Sequence, residues 1–212
     1  MTELKVPLAL DGYGSVISPD DALKSNDYFC PGCHEQLVLR KGDIKKAHFS
    51  HKASDICSVE TITHKLAKRL IAQTVNQFIN TKISPVIERI CPQCGSLSEQ
   101  TLPDRIDGAI EEKILDTGFV ADVAITAGGE VDAVIEVKVT HAVTEIKKQT
   151  LGFPFIEVKG ADIVENPAKW VPVIDKFKPC RCKDCHIAQT ELTKTLGSIS
   201  SKTNVPVPTS YY

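Results

Sequence analysis

Apolar and polar positions change their period several times along the 212 residues, and each change marks an element. From Ser58 to about Lys82, apolar side chains at Val59, Ile62, Leu66 and Leu70 recur at three- and four-residue intervals, the stripe of an amphipathic helix. Ser58 is placed to cap this helix and Pro85 closes it. Further on the period shortens to two. GAIEEKIL, GFVADVAI and VDAVIEVKVT read as three strands separated by Asp-Thr-Gly and Ala-Gly-Gly-Glu turns, the first two hairpin-like. A short amphipathic helix is expected from Thr140 to about Leu151, and after Gly152 and Pro154 a fourth strand, FIEVKG. The order β-β-β-α-β implies an α/β fold, a mixed sheet flanked by helices.

Cysteine spacing adds what periodicity cannot. Residues 28–57, YFCPGCHEQLVLRKGDIKKAHFSHKASDIC, hold a knuckle, a short LVL strand, a Gly-Asp turn and a paired HFSH, the outline of a small zinc module. The chain has eight cysteines, most of them in CxxC or CxC groups, and its N-terminus lacks the basic and apolar blocks of a signal peptide. A cytoplasmic location and thiolate metal ligands are therefore expected rather than cystines. The first expected Zn²⁺ set is Cys30, Cys33, His48 and His51, with Cys57 able to replace one histidine and leave His48 for a phosphate. The second is Cys91, Cys94, Cys182 and Cys185, with Cys180 as the alternative ligand; four thiolates leave no open position, so this zinc is structural. A redox use of CPQC fits less well, because such sites usually open a helix after a strand and this one leads into polar sequence. Three regions follow: a zinc module over 1–57, a core over 58–185 carrying the second cysteine site, and a Ser-, Thr- and Pro-rich tail over 186–212 expected to be partly disordered.

A net charge of −2 excludes a globally polybasic protein, so any contact with nucleic acid must be local. Arg40, Lys41, Lys45, Lys46, His48, His51 and Lys52 form one basic stretch. The chemistry concentrates elsewhere. Asp122 lies in ADVAI, and Glu136 and Lys138 lie two apart in IEVKV, so strand alternation puts the latter pair on one face. Two carboxylates and the Val137 carbonyl offer hard oxygen donors for Mg²⁺ or Mn²⁺, and Lys138 can orient water or offset developing charge.

At CPGC with HFSH, VETITHKLAK, and ADVAI followed by IEVKVT, spanning roughly residues 28–160, the chain resembles the competence protein CoiA-like family of the PD-(D/E)XK nuclease superfamily. The resemblance implies a restriction-endonuclease-like core and metal-dependent cleavage of DNA. It also implies that Glu60, on the first core helix, completes the metal site; with His64 and Lys68 it forms an i, i+4, i+8 row. Gln149 followed by Phe153 is similar to the Gln-x-x-x-Tyr element of RecB-like nucleases, with Phe in place of Tyr. His141 reads as a helix-entry residue. The expected function is hydrolysis of phosphodiester bonds in DNA, with RNA left open. A homodimer would suit duplex cleavage, since each site hydrolyses one strand. The competing reading is a non-catalytic, zinc-dependent nucleic-acid-binding or adaptor protein.

Overall fold

The computed structural model describes residues 5–51, 57–140, 151–179 and 182–187. Helix α1, Val59–Thr81, begins where the sequence expects it: the Ser58 hydroxyl accepts the Thr61 amide at 3.1 Å, satisfying one of the amides that a helix start leaves unpaired. It stops at Lys82, whose left-handed φ of 61° turns its amide back to the Phe78 carbonyl. Among the described residues no helix is long and apolar enough to cross a membrane.

The expected strands form one sheet. β9 (Ile106–Ile114), β10 (Val120–Ala127) and β11 (Glu130–Lys138) run as an antiparallel meander, β12 (Phe155–Lys159) joins β11 in parallel, and β14 (Pro172–Asp175) closes the far edge. Gly128 and Gly129, with φ of 63° and 80°, supply the two positive dihedrals that the tight β10–β11 turn requires. Because β11 and β12 are parallel, the chain must cross over between them. The helix expected there falls on residues 141–150, outside the described residues, as do His141, Gln149 and the C-terminal tail.

Alternation then decides what each sheet face buries. Val123, Ile125, Ile135, Ile156 and Val158 meet Leu66, Ile71 and Val75 of α1. This core closes on Ile163 of α2 (Gly160–Glu165) and Trp170 of β13 (Lys169–Trp170). Each large side chain fully buried here contributes roughly 1.5–3 kcal/mol. The opposite face carries a smaller cluster of Leu115, Ala124, Val134, Leu151 and Phe155.

Two small sheets flank this core. β1 (Lys5–Val6), β2 (Ala9–Leu10), β3 (Val16–Ile17), β4 (Tyr28–Phe29), β5 (Gln36–Arg40) and β6 (His48–His51) form a six-stranded sheet ordered β1-β6-β5-β4-β2-β3. Its core of Val6, Tyr28, Leu37 and Phe49 takes in Ile62 from α1, which anchors the module on the helix. β7 (Val86–Ile90) and β8 (Leu97–Gln100) pair across the CPQC knuckle, with β13 on the other edge of β7. The expected run of polar loop after CPQC is thus a hairpin strand, in which Leu97 faces Ile90.

Candidate functional site

Two clusters bring four metal-ligating atoms within 4.8 Å of one another: Cys30, Cys33, His51 and Cys57, and Cys91, Cys94, Cys182 and Cys185. A tetrahedron built on a Zn–S bond of about 2.3 Å has sulfur–sulfur edges of about 3.8 Å. Cys30 Sγ–Cys57 Sγ and Cys94 Sγ–Cys182 Sγ are both 3.7 Å, the spacing of shared coordination and far beyond a disulfide bond. The donor sets therefore fit Zn²⁺.

In the first cluster the CPGC loop wraps its own sulfur, with the Gly32 amide 3.3 Å from Cys30 Sγ. A Cβ on Gly32 would stand 2.8 Å from Cys57 Sγ, so only glycine lets the loop close this tightly. Burial pushes the Cys30 thiol up, and burial together with the neighbouring Cys30 takes Cys57 to about 12. A cation is what would hold both as thiolates. His51 Nε2 lies 4.0 Å from Cys33 Sγ, while its buried Nδ1 has no hydrogen-bond partner and sits 3.7 Å from the Glu35 carboxylate. A ring with one nitrogen on the metal and the other toward a carboxylate is the usual arrangement of a zinc histidine.

His48 does not join this cluster, which corrects the first expected ligand set and matches its alternative, with Cys57 replacing one histidine. Residues three apart on a strand face opposite ways, so β6 points His51 inward with Phe49 and sends His48 to the other face with Ser50. There His48 Nδ1 lies 3.0 Å from the Lys46 carbonyl. Cys57, adjacent to the α1 cap, is the fourth member.

The second cluster closes across the whole core, and Arg89 explains how. Its buried guanidinium donates to both Asp175 oxygens, at 2.7 and 3.0 Å, to Gln100, and to the Phe177 and Lys178 carbonyls. That pins the segment leading to Cys182, whose amide lies 3.3 Å from Cys91 Sγ and lowers that thiol to about 6. Ser96 likewise lowers Cys94, whereas contact with Cys94 drives Cys185 up to about 12. Cys180 lies outside the described residues.

The carboxylate site forms where β10 and β11 part. Their ladder extends to Val123–Ile135; one step beyond, Asp122 and Glu136 face each other and the Asp122 side chain, not a backbone carbonyl, takes the Val137 amide at 2.8 Å. The Asp122 amide in turn lies 3.4 Å from Glu136 Oε1. From α1, His64 Nε2 stands 3.2 Å from Asp122 Oδ2 and Lys68 Nζ stands 3.8 Å from Oδ1. Burial alone would raise the Asp122 carboxyl, but the hydrogen bonds of His64 and Val137 and the charges of His64 and Lys68 outweigh it and hold the group below its usual range. Glu136 is buried beside it. An open pocket of about 370 Å³ adjoins, walled by Glu60, His64, Lys65, Lys68, Glu112 and Val137.

Glu60 reaches this pocket and accepts a hydrogen bond from the Thr140 hydroxyl. Lys138 shares the Glu136 face of β11 by alternation and pairs in register with Lys159 of β12, away from the pocket wall. Asp122 and Glu136 supply two hard donors; among the described residues the clusters of three or more ligand atoms are the two cysteine sites. Glu112, which sequence reasoning missed, has a left-handed φ of 51° within β9, opposite Asp122 where the β9–β10 register skips a pair. A non-glycine residue held there costs on the order of 1–3 kcal/mol. Nothing in GAIEEKIL separates Glu112 from Glu111.

One family model, described as Competence protein CoiA, N-terminal domain, matches residues 19–60. No curated protein and no solved structure matches the chain. The matched span contains the whole first cysteine cluster and reaches the first turn of α1, where Glu60 sits, but stops short of Asp122 and Glu136.

Proposed function

We propose that this chain is a metal-dependent nuclease that hydrolyses phosphodiester bonds in DNA, with a PD-(D/E)XK-type core and a CoiA-like zinc module. The observation that carries the reading is the Asp122–Glu136 pair, set on adjacent strands at the point where they part, with Asp122 contacted by His64 and Lys68 from the wall of the neighbouring pocket. The order α1, β9, β10, β11, β12, with a parallel last pair, is consistent with that core. Mg²⁺ or Mn²⁺ held by Asp122 and Glu136 would lower the pKa of a bound water and offset charge on the phosphate.

The residues divide the remaining work. His64 and the Val137 amide hold Asp122 ionised and oriented. Glu60 completes the acidic rim. Lys138, on the Glu136 face of β11, orients water or neutralises the developing phosphorane charge, and Gln149 is assigned to the same site by its similarity to the Gln-x-x-x-Tyr element of RecB-like nucleases. Zn²⁺ in both cysteine clusters is structural, and the first zinc module presents Lys45 and Lys46, both exposed, to the DNA backbone. The protein acts in the cytoplasm, and as a homodimer on duplexes.

Linear, supercoiled and single-stranded DNA incubated with Mg²⁺ or Mn²⁺ should be nicked or degraded, EDTA should stop it, and Glu136→Ala and Lys138→Ala should abolish it with folding retained. Zinc-loaded, folded protein that cuts none of these substrates refutes the proposal and leaves a nucleic-acid-binding module.

A further inference from the structure

Lys68 is the buried cation beside the carboxylates. It lies on the apolar face of α1 and is 5% exposed, yet it carries an ammonium. A buried cation persists only where anions meet it. Lys68 meets two, Glu112 Oε1 at 2.7 Å and Asp122 Oδ1 at 3.8 Å. Glu112 on β9 and Asp122 on β10 lie opposite each other at the pair their register skips, and the Glu112 backbone adopts a left-handed φ of 51° at that point. Lys68 also walls the open pocket beside Glu60 and His64, whereas Lys138 does not.

We propose that Lys68 is a second catalytic lysine of the phosphodiester-cleaving site, presenting its ammonium to a non-bridging oxygen of the scissile phosphate, and that Glu112 positions it. The inference rests on the nuclease reading. In the step concerned, a water oxygen forms a bond to phosphorus as one ester P–O bond breaks. The leaving oxygen departs with one water proton as an alcohol, the second proton goes to solvent or stays on the phosphate monoester, and the extra negative charge gathers on the non-bridging oxygens. An ammonium fixed within the pocket wall stabilises that charge without having to reorganise, which is where such a group has most effect on rate. Glu112 keeps it aimed across the pocket rather than collapsed onto Asp122.

The test is steady-state cleavage of one defined DNA substrate by wild type, Lys68→Met, Lys68→Arg, Glu112→Gln and Glu136→Ala, with DNA affinity by fluorescence anisotropy and melting curves for each. Lys68→Met should lower kcat about 100-fold with DNA affinity unchanged, and Lys68→Arg should recover part of the loss. Glu112→Gln alters a solvent-accessible carboxylate and should fold normally; it should lower kcat about tenfold with KM unchanged. Cleavage by Lys68→Met within about threefold of wild type, while Glu136→Ala is dead, overturns the role of Lys68 and leaves the nuclease reading standing. Should Lys68→Met fail to fold, an unchanged kcat in both Lys68→Arg and Glu112→Gln overturns it equally. Wild type that cuts nothing overturns both readings, an outcome recognisable because no variant then differs.

Discussion

Replacing His51 with alanine should remove one zinc and leave the other, whereas replacing His48, three residues earlier on the same strand, should remove neither. The sulfur–sulfur distance of 3.7 Å in the first cluster is close to the edge of about 3.8 Å expected for a zinc tetrahedron, and His51 Nε2 reaches the same group at 4.0 Å from Cys33 Sγ. His48 lies on the opposite face of β6. Structural zinc contributes an apparent 10–16 kcal/mol or so in small modules, about as much as the 5–15 kcal/mol that typically holds a whole domain together. Losing a ligand should therefore melt the six-stranded sheet rather than loosen it. The assay is zinc content per chain by chromophoric chelator, two for wild type and His48→Ala and one for His51→Ala and Cys57→Ser. Two optical probes report the consequence. Tyr28, 5.0 Å from Phe49 centroid to centroid, reports the zinc module by near-ultraviolet dichroism, and the single Trp170 reports the α1 core by fluorescence. The Tyr28 signal should collapse in His51→Ala while Trp170 stays buried. Zinc loss in His48→Ala equal to that in His51→Ala, or two zincs retained in Cys57→Ser, refutes the reasoning.

Three further outcomes are expected. Gly32→Ala places a Cβ 2.8 Å from Cys57 Sγ and 3.2 Å from Ile62 Cγ1, so zinc content should fall toward one with the second cluster intact. Arg89→Met leaves two carbonyls, Gln100 and Asp175 without their donor; chemical denaturation should show a loss of about 3 kcal/mol or more, and a loss below about 1 kcal/mol would contradict the pinning role. Glu112, first through its bond to Lys68, and Asp122 both have carboxyls held below their ordinary values of 4.5 and 3.8. Depressed folded values stabilise the fold above those values and release that stability as pH falls through them, so urea midpoints should drop between about pH 5 and pH 3, less steeply in Asp122→Asn.

What the sequence displayed was periodicity and spacing. The α1 boundaries, the β9–β10–β11 meander and β12 were all legible because long elements repeat their pattern several times. β1 to β3 were not, since strands of two residues contain no period, and β7 and β8 were hidden by a knuckle that reads as loop. The second cysteine set was found from spacing, but the first needed geometry: HFSH looks like a two-histidine hook until β6 is known to be a strand. The tetrapeptide IEVK shows a different limit. It occurs at 135–138 and again at 156–159, and the two copies lie in register as parallel neighbours, Glu136 against Glu157 and Lys138 against Lys159. Either copy satisfies an E-x-K pattern. Topology separates them, because β11 adjoins the strand bearing Asp122 and β12 does not.

The placement of the zinc module bears on the carboxylate site through one helix. Cys57 precedes the Ser58 cap, and Glu60, His64 and Lys68 follow along the first turns of α1. Ile62, between Glu60 and His64, is buried in the core of the N-terminal sheet, while Leu66 and Ile71 are buried in the core of the central sheet. A helix held by both cores has little freedom to rotate or slide, and a rotation by one residue would carry His64 and Lys68 about 100° away from Asp122. The first cysteine cluster fixes the start of α1, and β9 and β10 fix its middle. Removal of the first zinc should for that reason weaken the His64–Asp122 contact before it unfolds the central sheet. Nuclear magnetic resonance of the His64 ring in Cys57→Ser would register this as a changed environment with Trp170 unmoved, and an unchanged His64 signal in a module without its zinc would show that the central core alone positions the site.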